Sequence, residues 1–377
     1  MAATAPITFS PAALQLAGRV LKSRWQVDSL AMPMPGATGG RHSVCYNVTD
    51  TTTGKKAFLK AIDYTTAFAL AAATGTMVAT VLTGLAGRFK FEQELLEMCR
   101  DATMRHVVTI LDAGSEIIAG TAPNHIPNVD YIIFEHADTT VRNRILASDL
   151  HVTESLLVCR QCAVALQELH RQGIFHQDVK PSNLLLFPKV TSASKGAPQN
   201  HVKLGDLGRA SHARKAGPFD QDVVPGDRLY MPFDQLYSGA AGLAADRRMI
   251  DGYSLGCVLF DLLTGQPYIQ VLANNLQPNH LPVSVRGGWT GSYKDVKGYV
   301  DAAHAKAMVL LHDSLQKLKV PDAFIDEIMA VQEQLIHTDP QKRGHPKNRA
   351  TGVSPCDMER YISQFDHLVN RAFVWGL

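Results

Sequence analysis

The chain has 377 residues, 46% of them hydrophobic and 19% charged, enough to bury one large two-lobed core or two modest ones. A formal net charge of +2 gives no global field that would draw it to nucleic acid or to an acidic membrane surface, so partners must be read from local features. The six cysteines are scattered, most of them in apolar runs where a thiol behaves as a small hydrophobe; a reducing compartment is expected, and the Cys159/Cys162 pair, inside a helical pattern with no second pair, is a poor zinc or redox motif.

The N-terminal extension, residues 1–24, has no basic segment followed by an apolar core, so it does not read as a secretory leader and the cytoplasm is the expected location. Residues 25–63 alternate short strand-like runs with Gly, Pro and Thr, which predicts an antiparallel sheet. Residues 67–86 are uncharged and as long as a membrane span, but they consist mainly of Ala, Thr and Gly, and the spacing predicts a packed helical insertion over 64–87. A helix over 88–100 and strand-like runs at 107–111 and 130–135 complete a β-rich lobe, residues 25–137.

From residue 138 to 346 the pattern is helical. Thr153 reads as the N-cap of a long helix that Gly173 ends, and the stretch DGYSLGCVLFDLLT is apolar nearly all round, as a buried helix should be. The run PKVTSASKGAPQN is the clearest loop. In the tail, 347–377, Met358, Tyr361, Ile362, Phe365, Leu368 and Ala372 share a helical face after a Ser354-Pro355 start, and that face must pack on something.

Two runs carry chemistry: HQDVKPSNLLL from His176 and, across the polar loop, VKLGDLGRA from Val202. Together they resemble the catalytic loop and metal-binding turn of the protein kinase superfamily, which implies an α+β bilobal fold and phosphoryl transfer from ATP with Mg²⁺ to a protein hydroxyl. By that resemblance Asp178 orients the hydroxyl and takes its proton, Lys180 stabilises the transferring phosphoryl group, and Asn183 and Asp206 ligate Mg²⁺. AFLK places Lys60 on a strand, where an ion pair with Glu92, or alternatively Glu94, would hold it against the α- and β-phosphates. Such a pair argues against a membrane span at 67–86, which would separate its members. PGATGGRHSVCY partly follows the glycine-rich loop, with Gly39, Gly40 and Val44 in place and Ala37 and His42 where glycines are usual. YIIFEHAD resembles the hinge: Phe134 at the back of the adenine pocket, Glu135 to Ala137 offering backbone hydrogen bonds, and Val44, Ala57 and Leu185 as apolar walls. Asp234 in PFDQL and Arg343 resemble a structural ion pair, and Asp251 matches the aspartate that anchors the catalytic-loop backbone. His176 reads as a packed residue that positions the backbone.

Two departures matter. Gln177 stands where the family usually has an arginine that a phosphorylated activation segment neutralises, and between Asp206 and Asp234 the only hydroxyl residues are Ser211 and Tyr230; both favour activity without activation-loop phosphorylation. Asp227 stands where a threonine is usual, whereas Lys180 favours a serine or threonine acceptor over tyrosine. The basic run Arg209, His212, Arg214 and Lys215 suits either acidic substrates or plain solvation. A protein substrate is expected, with neither nucleic acid nor membrane as partner, and the oligomeric state is open. Two other classes compete: a pseudokinase scaffold, against which Lys60, Asp178 and Asp206 are all present, and a small-molecule phosphotransferase, against which Lys180 and PFDQL argue.

Overall fold

The computed structural model describes residues 11–31, 43–119, 126–188, 201–220, 222, 224–237 and 246–377. The chain divides into two compact units, one made of Met1–Thr103 with Val108–Ala137, the other of Met104–Val107 with Asp138–Leu377.

The first unit is built on an antiparallel sheet of β1 (Val20–Leu21), β2 (Trp25–Leu30), β3 (Ser43–Asp50), β4 (Lys56–Ile62), β5 (Ile110–Ile117) and β6 (Asn128–Glu135), in the order β1-β2-β3-β4-β6-β5. Tyr46 lies opposite Leu59, Val48 opposite Ala57, and Leu59 opposite Ile133. Because strand side chains alternate, this register gathers Tyr46, Val48, Ala57, Leu59, Ala61, Tyr131 and Ile133 on one face. The N-terminal extension closes that face: Ala12, Ala13 and Leu16 join the core, and the Tyr46 hydroxyl donates to the Ala13 carbonyl at 2.8 Å.

The Ala-rich insertion is helical but divided otherwise than its composition suggests. Helix α1 (Tyr64–Thr74) is capped by the Asp63 carboxylate, which accepts from the Thr66 amide, and ends at Gly75, whose φ of +68° is easy only for glycine. After this corner α2 (Val78–Asp101) runs unbroken, so residues 78–87 of the expected insertion are the first turns of the helix that carries Glu92. Among the described residues no single helix is long and apolar enough to cross a membrane.

In the second unit β7 (Thr139–Thr140) leads into α3 (Val141–Ala147) and α4 (Val152–Arg171), followed by β8 (Ile174–Phe175), β9 (Leu184–Phe187), β10 (His201–Leu204) and β11 (Ser211–His212). These short strands form one sheet of order β10-β9-β7 and the pair β11-β8. The helices α5 (Arg248–Thr264), α6 (Tyr268–Asn274), α7 (Tyr293–Lys317), α8 (Asp322–Ile336), α9 (Pro346–Thr351) and α10 (Met358–Trp375) follow. Nearly every side chain of α5 is buried, as a sequence apolar nearly all round demands.

Thr153 is not the cap of α4. The Glu154 side chain reaches back to the His151 amide, closing a capping box two residues earlier, and Thr153 lies inside the helix. The tail helix starts from an Asp357 cap, not at Ser354-Pro355, and its buried residues Met358, Tyr361, Phe365, Leu368 and Ala372 pack on α4 and α8.

Candidate active site

On the sheet face opposite its core the first unit carries a charged pair with a buried carboxylate. Lys60 lies in register with Cys45 and Ile132, one residue out of phase with buried Leu59 and Ala61, so its side chain leaves on the far side. There its Nζ meets both Glu92 carboxylate oxygens of α2, at 2.9 and 3.0 Å. Glu92 is buried and faces inward at helical spacing with Leu85, Phe89, Leu95 and Leu96, which decides between Glu92 and Glu94 as the partner.

The same register corrects the expected adenine walls. Ala57 is 1% exposed within the core cluster and Val44 packs against that cluster, both on the face turned away from Lys60. The residues on the Lys60 face include Cys45, Asn47, Phe58, Ile132 and Phe134. The expectation slipped by one residue on both strands, and with a side-chain period of two a single slip exchanges the faces. Counting back two from Lys60 to Phe58 would have found it. Phe134 ends β6 in that row at 7% exposure, and Glu135 turns its carboxylate to the Thr109 amide at 2.7 Å. Ala137 closes the unit, while Gly39 and Gly40 lie outside the described residues.

The second unit gathers the polar constellation. Buried Asp251 of α5 accepts from the backbone amides of His176 at 3.0 Å and Gln177 at 2.7 Å, and pairs with His170 Nε2 at 2.8 Å. A full charge thus fixes the catalytic loop, including Gln177 at a φ of +60°. His176 extends the scaffold: its Nε2 donates to the Gly205 carbonyl at 3.0 Å and its Nδ1 accepts from the Asp178 amide at 3.2 Å, tying the loop to the residue before Asp206.

Asp178 is held on every side. Its Oδ2 meets Lys180 Nζ at 2.9 Å and accepts from the Asn183 amide at 3.2 Å, while Oδ1 accepts from the Asp227 backbone at 2.7 Å. Burial pushes the Asp178 carboxyl above the ordinary aspartate range; the Lys180 charge opposes this and Asp206 adds to it. Asp227 lies with its carboxylate 3.7 Å from Lys180 Nζ, a second negative partner for that lysine. Gly226 permits this approach: a Cβ there would stand 2.1 Å from the Gln177 carbonyl oxygen and 2.9 Å from Asp178 Oδ1.

Asn183 spends its amide nitrogen on the Asp178 carbonyl and carboxylate, which leaves its oxygen as the acceptor, and its own carbonyl holds the Gly205 amide at 2.9 Å. Asp206 follows Gly205 with a φ of +63°, tolerable for aspartate, and is exposed. These hard oxygens suit Mg²⁺, which takes few protein ligands and completes its shell with phosphate and water. Leu185, half-buried on β9, points away from the side of buried Leu184 and Leu186. Arg343 Nη2 meets Asp234 at 2.6 Å and the His337 carbonyl at 3.0 Å, beneath Tyr253.

A strand lysine paired to a helix glutamate in one unit, and in the other a loop aspartate held by a lysine, an asparagine and a backbone amide on a loop that a second aspartate anchors, are arrangements expected of the phosphotransferase class. The protein kinase domain model matches residues 39–348, and the chain belongs to the protein kinase family. It is 32% identical over 172 residues to the serine/threonine-protein kinase PknB of Mycobacterium leprae, a match covering 44% of this chain and 24% of that protein. The PknB of Mycobacterium tuberculosis (strain ATCC 25618 / H37Rv) is 29% identical over 220 residues, 55% of this chain and 31% of the relative. The serine/threonine-protein kinase PKZ1 of Phytophthora infestans is 35% identical over 120 residues, 29% of this chain and 28% of the relative. The chain thus spans under a third of the length of these curated relatives.

Proposed function

We propose that the protein transfers the γ-phosphoryl group of ATP, with Mg²⁺, to a serine or threonine hydroxyl of a protein substrate, and does so without phosphorylation of its activation segment. The cradle around Asp178 carries this reading. Its carboxylate is fixed by three donors and shifted upward by burial, as a group that accepts a hydroxyl proton needs to be.

In the proposed mechanism Lys60, oriented by Glu92, holds the α- and β-phosphates, while Asp178 orients the acceptor hydroxyl and receives its proton. Lys180 compensates charge on the transferring group, and Asn183 and Asp206 hold the metal. Bound Mg²⁺ supplies charge neutralisation of the phosphate oxygens. The formed Lys60–Glu92 pair supports an active enzyme over a scaffold.

Independence from activation-segment phosphorylation is supported by the two hydroxyls that segment contains. Ser211 is 1% exposed, and the Tyr230 hydroxyl is committed to Asp261 at 2.6 Å. The test is Mg-ATP turnover on a protein mixture with phosphatase-treated wild type and with Asp178→Asn. Label transfer by the first and its loss in the second are expected. An inert wild type that wakes only after treatment with another kinase would sink the second half of the proposal; no magnesium-dependent nucleotide turnover under any condition would sink the whole.

A further inference from the structure

Gln177 faces two different partners. Its Nε2 donates to the Arg209 carbonyl at 3.3 Å and its Oε1 accepts from Arg247 Nη1 at 3.3 Å. Arg247, at the N-terminal boundary of α5, also grips Asp220 twice: Nη1 meets the carboxylate at 3.2 Å and Nη2 meets the carbonyl at 3.0 Å. The free end of the Asp220 carboxylate accepts from the Gly217 amide at 2.7 Å. The circuit closes through the neighbouring ring, since the Arg209 guanidinium lies 4.7 Å over Phe219.

Each link is modest, but together they tie the catalytic loop, the turn after Asp206 and the middle of the activation segment to the head of α5. An amide suits this node because it offers a donor to a carbonyl and an acceptor to a cation. An arginine at 177 would satisfy the carbonyl and confront the Arg247 charge.

We infer that Arg247 and Asp220 are positioning residues for phosphoryl transfer: their ion pair, acting through Gln177, holds the activation segment and the catalytic loop in register, a task that elsewhere falls to a phosphate added to an arginine-bearing site. This rests on the reading of the chain as an active kinase and supplies a physical reason for its independence of added phosphate.

The experiment uses the phosphatase-treated full chain and compares wild type with Asp220→Asn, Arg247→Met, the double variant and Gln177→Arg. Each single variant is expected to lower kcat about tenfold, the order set by small misplacements of a catalytic group, with KM for ATP within about twofold. The double variant is expected to be no worse than the poorer single one, because both remove the same link. Asp220→Asn is isosteric and partly exposed, and carries the test if Arg247→Met fails to fold. Wild-type kcat in Asp220→Asn and Gln177→Arg, or losses that add in the double variant, would overturn the inference while leaving an active wild type and the functional reading intact. An inert wild type would overturn both.

Discussion

Replacing Asp251 by asparagine tests the core of the site with almost no change of shape. The carboxylate serves the His176 and Gln177 amides and His170 with its two oxygens, at 0% exposure. Asparagine keeps one acceptor oxygen, and its new NH₂ must face a donor. One buried N–H is left unmatched, at about 1–3 kcal/mol, and the remaining bond loses its charge assistance, so a total of about 2–4 kcal/mol is expected. The left-handed backbone of Gln177 loses its restraint at the same time, and Asp178 is the next residue. We expect kcat to fall on the order of a hundredfold, because displacements of about an ångström at a reacting group cost that much. Urea titration followed by far-UV circular dichroism, compared at equal slope, reads the stability, and steady-state kinetics at saturating Mg-ATP read the rest. An unchanged midpoint together with a kcat within twofold of wild type would refute the claim that this carboxylate organises the loop.

Gly226→Ala brings a Cβ to 2.1 Å from the Gln177 carbonyl, a contact that side-chain motion cannot relieve; a stability loss of about 1–3 kcal/mol and a marked drop in kcat are expected, and a variant with wild-type kinetics would show that the Asp227 segment does not bear on the loop. Acid should loosen the first unit. Hydrogen bonds from Arg24 and Thr52 hold the Asp50 carboxyl below the usual range, and at Asp112 burial opposes ionisation but hydrogen bonds from Lys22, Trp25 and Ala113 outweigh it. Groups with depressed values stabilise the fold above their unfolded pKa, and that contribution fades as pH falls through about 4 towards the folded values. Fluorescence of buried Trp25, whose indole N–H donates to Asp112 at 2.9 Å, reports the transition once Trp289 and Trp375 are replaced, and Asp112→Asn should flatten it; an acid response indifferent to Asp112→Asn would contradict the assignment.

Much of the site could be read in the sequence because its members are close neighbours. Asp178, Lys180 and Asn183 share one short loop, and the distances within it follow from a few backbone torsions. Lys60 and Glu92 were found by pattern and joined by tertiary structure. What escaped depended on phase or on distance. Val44 and Ala57 were lost to a slip of one residue, which composition cannot detect since both neighbours are small or apolar. The α4 cap moved from Thr153 to His151 because the reciprocal contact of Glu154 outweighs the preference for a hydroxyl. The Gln177–Arg247–Asp220 circuit joins residues 70 and 27 positions apart, and no local pattern announces it.

The unbroken course of α2 carries a mechanical meaning. From Val78 to Glu92 the axis advances about 21 Å at 1.5 Å per residue, so the outer turns are the handle of a lever whose working end grips Lys60. Gly84 and Gly87 interrupt that handle, and a Cβ at either would meet nothing within 4 Å. Each glycine softens an exposed helix by roughly 1 kcal/mol relative to alanine without any packing reason to be there. The outer turns between the corner at Gly75 and the glutamate are thus the part of α2 that its own backbone preferences hold least, and alanine at either glycine would firm them without meeting a neighbour.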